Sequence, residues 1–248
     1  MVKKLFIDVG HGGNDPGARG IVTEKEINLI LGLKLRDYLN DNYYCNIKLS
    51  RTDDSSVSLR RRCDMANEWG ADYFISLHSN AFNGDAQGYE DFIWNGGVGQ
   101  QTKDYQNSLH PDIAEVWTDA GRNNRGKKQA NFFVLRNTRM SALLIENGFV
   151  DNETDADLLQ DGGFQNKLVK AMGDSLAEHL GWEEKEQEKS EPNELPEVIR
   201  TIDVYVNDEK VDYTGYLINN TTHIPAKFIA EFAGGEVEGR GSNVNFKK

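Results

Sequence analysis

Leu5-Phe6-Ile7-Asp8-Val9-Gly10-His11-Gly12-Gly13-Asn14-Asp15-Pro16-Gly17 is the stretch on which the fold turns. Its apolar run predicts a buried strand. The run breaks at His11 into a polar loop crowded with glycines. Glycines let backbone pass close to a bound group and take up positive φ. Open α/β sheets bind ligands beyond the carboxyl ends of their strands, so His11 stands where chemistry is expected. One histidine after one strand is more often a hydrogen-bonded structural residue than a ligand. The reading therefore depends on what else arrives at that edge.

A second apolar run, Asp72-Tyr73-Phe74-Ile75-Ser76-Leu77, also runs straight into a histidine, His78, followed by Ser79-Asn80-Ala81. If the two strands are parallel neighbours, both imidazoles land on one rim. Between them, Thr23 reads as an N-cap with Glu26 completing a capping box. The helix continues to about Asn40 with Ile27, Ile30, Leu31, Leu35 and Tyr38 on one face. Glu24 is left over in the first turn, facing inward; compensation of the helix dipole is the plain alternative. Asn46–Ser50 is a short strand. Ser58–Trp69 is a helix with Leu59, Cys63 and Ala66 inward, ended by Gly70. Arg60-Arg61-Arg62 is expected on a solvated face, with room for one arginine turned inward to a carboxylate.

Downstream, Gly88–Trp94 is a strand and Gly99–Gly121 a helix. Arg122–Gln129 is a basic loop, with Arg125 and Lys127 as candidates to hold a substrate. Phe132–Arg136 and Ala142–Phe149 are strands. The latter carries Glu146 inside Ala-Leu-Leu-Ile-Glu-Asn-Gly-Phe, where a carboxylate is costly unless paired or functional. Asp151–Gly163 is an acidic loop with a short helical segment, and Phe164–Leu180 a helix closed by Gly181. Strands alternate with helices over residues 1–182, which predicts an α/β fold: a mostly parallel twisted sheet flanked by helices. Residues 183–197 hold seven glutamates, two lysines and two prolines, the composition of a solvated linker. Residues 198–248 return to alternation, with turns at Asn207-Asp208-Glu209 and Asn219-Asn220, a short helix over Ala226–Ala233 and a last strand at Asn243–Phe246. They form a small α+β module.

Of 248 residues, 38% are hydrophobic and 27% charged, which suits a soluble protein with a core. The net charge of −12 argues against bulk electrostatic binding of nucleic acid or an anionic membrane. Two cysteines, Cys45 and Cys63, are expected as buried thiols. The N-terminal Met-Val-Lys-Lys leads directly into the first strand, so neither a signal peptide nor membrane insertion is expected. The protein would be made in a cytoplasm and reach any outside target by release. His110, His179 and His223 are expected in structural or surface roles.

Together, the rim carries His11, Glu24, His78 and Glu146. Two histidines and a carboxylate are the ligand set of a catalytic zinc site whose fourth position stays open for water. A second carboxylate, not a ligand, can then move the proton. The spacing is long, and no local zinc signature applies.

Four segments carry a resemblance: Gly10-His11-Gly12-Gly13 with Asp15, Gly17 and Ala18; Glu24-Lys25 opening a helix; Ser76-Leu77-His78-Ser79-Asn80-Ala81; and Ile145-Glu146-Asn147-Gly148-Phe149. In this order they resemble the zinc-dependent N-acetylmuramoyl-L-alanine amidases of the type-3 family. Asn124-Arg125-Gly126 through Phe133-Val134-Leu135-Arg136 is similar to that family too. The resemblance covers about residues 1–182. It implies Zn2+ on His11, Glu24 and His78, and Glu146 as general acid/base. It also implies cleavage of the amide between the lactyl group of N-acetylmuramic acid and L-alanine of the stem peptide. Arg125, Lys127 and Asn80 are the candidates for substrate contact. Ser79 and Asn147 depart from the family's usual small residues without removing a ligand. The terminal module is similar to the small stalk-like domain of copper amine oxidases, which suggests wall targeting and no copper. The order of lytic domain, linker and module resembles a phage endolysin, with a host autolysin as rival. Bacterial peptidoglycan is the expected partner, and a monomer the expected state. A zinc peptidase cutting within the stem peptide and a non-catalytic wall-binding protein are the alternatives; the four filled positions argue against the latter.

Overall fold

The structure, a computed structural model, describes residues 2–186 throughout and, beyond them, the backbone of five strands between residues 200 and 247. The chain divides into two compact units, Met1–Lys185 and Glu186–Lys248. In the first, β1 (Lys4–Val9), β2 (Asn46–Leu49), β3 (Tyr73–Asn80), β4 (Tyr89–Trp94), β5 (Asn124–Ala130) and β6 (Ser141–Phe149) form one sheet in the order β2-β1-β3-β6-β4-β5. The first four of these in sheet order are parallel. β4 runs antiparallel to β6, and β5 parallel to β4. The expected mostly parallel α/β sheet is therefore present.

Alternation along the strands sorts side chains between two cores. Leu5, Ile7, Val9, Ile75, Leu77, Leu143 and Ile145 pack under α1 (Glu24–Asn42), α3 (Gln100–Asp119) and α6 (Gly162–Leu180), and Leu159 of the short α5 (Glu153–Gln160) joins the same core. Phe6, Phe74, Ala142 and Leu144 face the other way, under α2 (Leu59–Trp69) and the five-residue α4 (Phe133–Asn137). Asp8, Ser76, His78, Glu90 and Glu146 continue that second face. Its helical cover is short, so the sheet's carboxyl edge is left open there.

Several local expectations change. Thr23 is the N-cap of α1, but its side chain makes no capping bond and Glu26 is exposed. The first helical amides are satisfied by the loop instead: Glu24 N donates to Ala18 O and Lys25 N to Pro16 O. Ile30 and Leu59 are 39% and 52% exposed rather than core-facing. Most of residues 122–129, read as a loop, lies in β5 (Asn124–Ala130), an edge strand where lysines are tolerated because one side is unpaired. Residues 132–136, read as a strand, give α4, because one helical turn buries Val134 and Leu135 against α2. Cys63 is buried and Cys45 half-buried, both as free thiols. Glu183–Lys185 pair with Asn42–Tyr44 and so extend the first unit beyond 182. Among the described residues no helix is long and apolar enough to cross a membrane.

In the second unit, β7 (Arg200–Val206), β8 (Glu209–Ile218), β9 (Thr221–His223), β10 (Glu236–Arg240) and β11 (Asn243–Lys247) form a sheet in the order β10-β11-β7-β8-β9. The β7–β8 and β8–β9 pairs are antiparallel, as the two expected turns require. The helix expected over 226–233 lies outside the described residues.

Candidate active site

At the end of β1 the backbone leaves the sheet, and its freed carbonyls need partners. Two arginines supply them. Arg51 Nη2 donates to Gly10 O (2.9 Å) and Nε to Val9 O (3.1 Å). Arg62 donates from Nη2 to His11 O (2.6 Å), from Nη1 to Asp8 Oδ1 (2.7 Å), and to Val9 O. Arg62 and Asp8 are buried, and Ser76 Oγ takes the other Asp8 oxygen (2.8 Å). His11 sits at φ +58°, an unusual place for a residue with a side chain. The two guanidinium groups hold the backbone on either side of that turn.

The turn brings three side chains together. His11 Nε2 lies 3.1 Å from Glu24 Oε2, and His78 Nδ1 lies 2.8 Å from Glu24 Oε1. One ligand atom from each residue falls within 4.8 Å of the others. The rings meet edge to face, 4.9 Å apart. Two glycines make room: a Cβ on Gly10 would sit 2.6 Å from the His78 ring, and one on Gly17 2.3 Å from Glu24 Oε2. Burial raises the Glu24 pKa, but hydrogen bonds and charge from His11 and His78 outweigh it and hold the carboxyl well below the usual range. Burial lowers the His11 pKa; Glu24 and Asp15 reverse that, and the net shift is upward. Asp15 Oδ2 lies 2.9 Å from His11 Nδ1.

Glu146 is the next residue in the same row of the sheet. His78 on β3 pairs with Glu146 on β6, and Glu146 with Glu90 on β4. Directly opposed residues share a face with Cβ atoms about 5 Å apart. Glu146 Oε2 is buried with no hydrogen-bond partner among the described residues. Burial first, then the nearby charges of Glu24 and Glu90, push its pKa well above the ordinary carboxylate value. A cleft of about 340 Å³ joins His11, Glu24, His78 and Glu146 to an apolar wall of Leu59, Phe132 and Phe133. A second cleft of about 470 Å³ continues past His11 to Asn14, Ser56 and Ser58. The arrangement offers a three-donor cradle beside a carboxyl group primed to hold a proton, the parts needed to hydrolyse a polarised carbonyl.

A family model described as N-acetylmuramoyl-L-alanine amidase matches residues 5–178. The amidase CwlM of Bacillus licheniformis is 46% identical over 176 residues, covering 70% of this chain and 67% of that protein. The sporulation-specific N-acetylmuramoyl-L-alanine amidase of Bacillus subtilis (strain 168) is 43% identical over 175 residues, covering 70% and 66%. The chain thus matches about two thirds of the length of these relatives. The catalytic domain of CwlV, an N-acetylmuramoyl-L-alanine amidase from Bacillus (Paenibacillus) polymyxa var. colistinus, superposes with a TM-score of 0.67 at 32% identity, over 73% of this chain and 99% of that domain. The chain belongs to the N-acetylmuramoyl-L-alanine amidase family. Membership makes it a hydrolase of cell-wall amide bonds and accounts for the mostly parallel sheet.

Within this amidase fold the residues singled out from sequence divide into two groups. His11, Glu24, His78 and Glu146 meet in one cleft. Asn80 lines the cleft, but its amide is engaged: Nδ2 donates to Glu90 Oε1 (3.1 Å) and Oδ1 accepts from Ala81 N (2.9 Å). Arg125 lies on the same face, donating from Nε to Glu90 Oε2 (2.8 Å). Lys127 does not join it; its Nζ reaches Asn107 on α3 (2.7 Å). The cause is a register break between β4 and β5 around Gly126 (φ +86°), which shifts the alternation and puts Lys128 beside Arg125. Lys128 Nζ contacts the same Glu90 oxygen. Asn147 Nδ2 points to His78 O (3.4 Å), and Ser79 Oγ to Asn28 (3.4 Å), so both substitutions sit behind the cradle. His110 and His179 are in polar clusters elsewhere, on Asp91 (2.7 Å) and Ser108 (2.9 Å). The reading from sequence missed Glu90, although the signal that found Glu146, an acid within an apolar strand, was present in Tyr89-Glu90-Asp91-Phe92. Asp8, inside the apolar run of β1, carried the same signal and was missed as well; Arg51 carried none.

Proposed function

We propose that this chain cleaves the amide between the lactyl group of N-acetylmuramic acid and L-alanine of the stem peptide. In this reading His11, Glu24 and His78 hold a zinc ion and Glu146 moves the proton. The single observation that carries it is the convergence of the three donor atoms within 4.8 Å, with Glu146 next in the same sheet row. Two imidazoles and one carboxylate suit zinc and leave a coordination position unused. The glycine cradle at Gly10 and Gly17 supports the fit, since a Cβ at either position would collide with the His78 ring or with Glu24 and the His11 ring. Zinc bound there would polarise the scissile carbonyl and make water more acidic.

The chain's own groups do the rest. Asp15 accepts a hydrogen bond from His11 Nδ1–H and so keeps Nε2 as the lone-pair donor facing Glu24 and His78. Glu146 as carboxylate accepts a proton from the attacking water as the carbon–oxygen bond forms. As acid it returns that proton to the alanine nitrogen as the carbon–nitrogen bond breaks. A raised proton affinity suits both halves. Leu59 and Phe132 would give the bound substrate an apolar wall beside the amide. The terminal unit is read as a wall-targeting module on its resemblance alone.

Purified walls digested with the full chain should gain free L-alanine N-termini and no new reducing ends. New reducing ends would mean a glycosidase, and cleavage between stem residues a peptidase.

A further inference from the structure

Next to Glu146 the same sheet row carries a charge arrangement that the hydrolysis itself does not use. Glu90 is 4% exposed, and two cations converge on its Oε2: Arg125 Nε and Lys128 Nζ. One cation would neutralise one carboxylate, so the cluster retains one positive charge, in a chain whose net charge is −12. The Arg125 guanidinium lies 4.8 Å above the Phe149 ring, on the strand that carries Glu146. Among the described residues only its Nε is engaged; the Nη groups donate to no protein acceptor. Glu90 and Phe149 thus hold the guanidinium plane while its fork stays open, the geometry that grips a carboxylate with two hydrogen bonds.

We propose that Arg125 and Lys128, tied together by Glu90, form a subsite for a stem-peptide carboxylate two to three residues beyond the scissile amide. The proposal rests on the amidase reading of the neighbouring cleft. Strands lie about 4.8 Å apart, so the start of β5 stands about 10 Å from Glu146. Two to three extended residues span about 7–10 Å. The lactyl carboxyl is consumed in the amide, so the substrate's free carboxylates lie on the peptide side. The second cleft, lined by Asn14, Asp15, Ser56 and Ser58, has Arg62 as its one arginine or lysine, and that guanidinium is already paired with Asp8 and with backbone carbonyls. The peptide arm therefore runs toward β5 and the glycan arm toward residues 14 and 56–58. Glu90 is a positioning residue here: it touches the two cations and not the ligand.

The test uses the zinc-loaded full chain and two muramoyl tripeptides that differ only in the stem carboxylates, free in one and converted to carboxamides in the other. The native chain should favour the free acid by at least about tenfold in kcat/KM, carried by KM. Arg125→Gln and Lys128→Gln should bring that ratio toward one, with Arg125→Lys retaining part of it. A native ratio near one, or an unchanged ratio in Arg125→Gln, overturns the proposal. Cleavage of neither substrate would sink the amidase reading instead. Calorimetric binding of the free and amidated tripeptides then still decides the subsite, since only a carboxylate clamp makes the acid bind more tightly and loses that margin in Arg125→Gln.

Discussion

Glu146 carries a conflict that the fold does not relieve: a carboxyl group with one buried, unpartnered oxygen and two acidic neighbours. Its folded-state pKa lies above its unfolded value, so ionisation favours the unfolded chain, and stability falls as pH rises from the ordinary glutamate value through the raised one. Glu146→Gln removes that cost. Turnover should drop by roughly 10²–10⁴ or more, zinc content should stay unchanged, and the thermal midpoint at pH 7 should rise. The gain should vanish below the ordinary glutamate pKa, about 4.3. A midpoint that falls at neutral pH would show that the side chain stabilises the fold and refute the reading. Arg62 is the opposite case. It is 2% exposed and pairs with Asp8, which is fully buried. Arg62→Met leaves that carboxylate unpaired and should cost about 3–5 kcal/mol in denaturant unfolding. It also frees His11 O, so zinc affinity should weaken even where the variant is folded.

The element that decides the site is the loop between β1 and α1. It supplies His11, caps the first amides of α1 through Pro16 and Ala18, and packs against Glu24 through Gly17. Gly17 has φ +65°, and a Cβ there would meet both Glu24 and the His11 ring. Gly17→Ala should spread the two donors and weaken zinc binding by roughly 10–100-fold in a chelator competition, the usual scale for changes just behind metal ligands. Near-native affinity would mean that the loop yields and the cradle is not rigid. The edge strand β5 shows how one residue re-addresses its neighbours. Strict alternation pairs Arg125 with Lys127, whereas the irregularity at Gly126 pairs Arg125 with Lys128. That difference lies in strand register, which neighbouring strands set and local sequence does not.

Across the whole molecule, the proposed reading sets zinc and protons in competition for His11, Glu24 and His78. In the metal-free chain the Glu24 carboxylate pairs with imidazoles, and the His11 pKa is raised above 6.5. That stabilisation is fully present below 6.5 and is lost as pH rises through the folded value. The zinc-induced rise in thermal midpoint should therefore be larger at pH 8 than at pH 6, as measured on chelated and reloaded samples. Equal increments would mean that the metal binds away from His11. The second unit makes a separate test: the full chain should sediment with purified walls more completely than residues 1–185 if it targets the wall. Much of this protein was legible in its residues alone. Apolar runs at strand spacing, the capping glycines Gly70 and Gly181, and two histidines at strand ends are local patterns, and each expresses a backbone period or a backbone constraint that needs no partner. The costly acid of β6 was legible for a similar reason, since an apolar strand is buried wherever it lies. What tertiary structure decided was adjacency: β3 beside β6, β6 against an antiparallel β4, and hence His78, Glu146 and Glu90 in one row. It also decided that Arg62 reaches Asp8 across 54 residues and that Lys128 displaces Lys127. These depend on strand order and register, which arise from packing between segments far apart in the chain and leave no mark on either segment by itself.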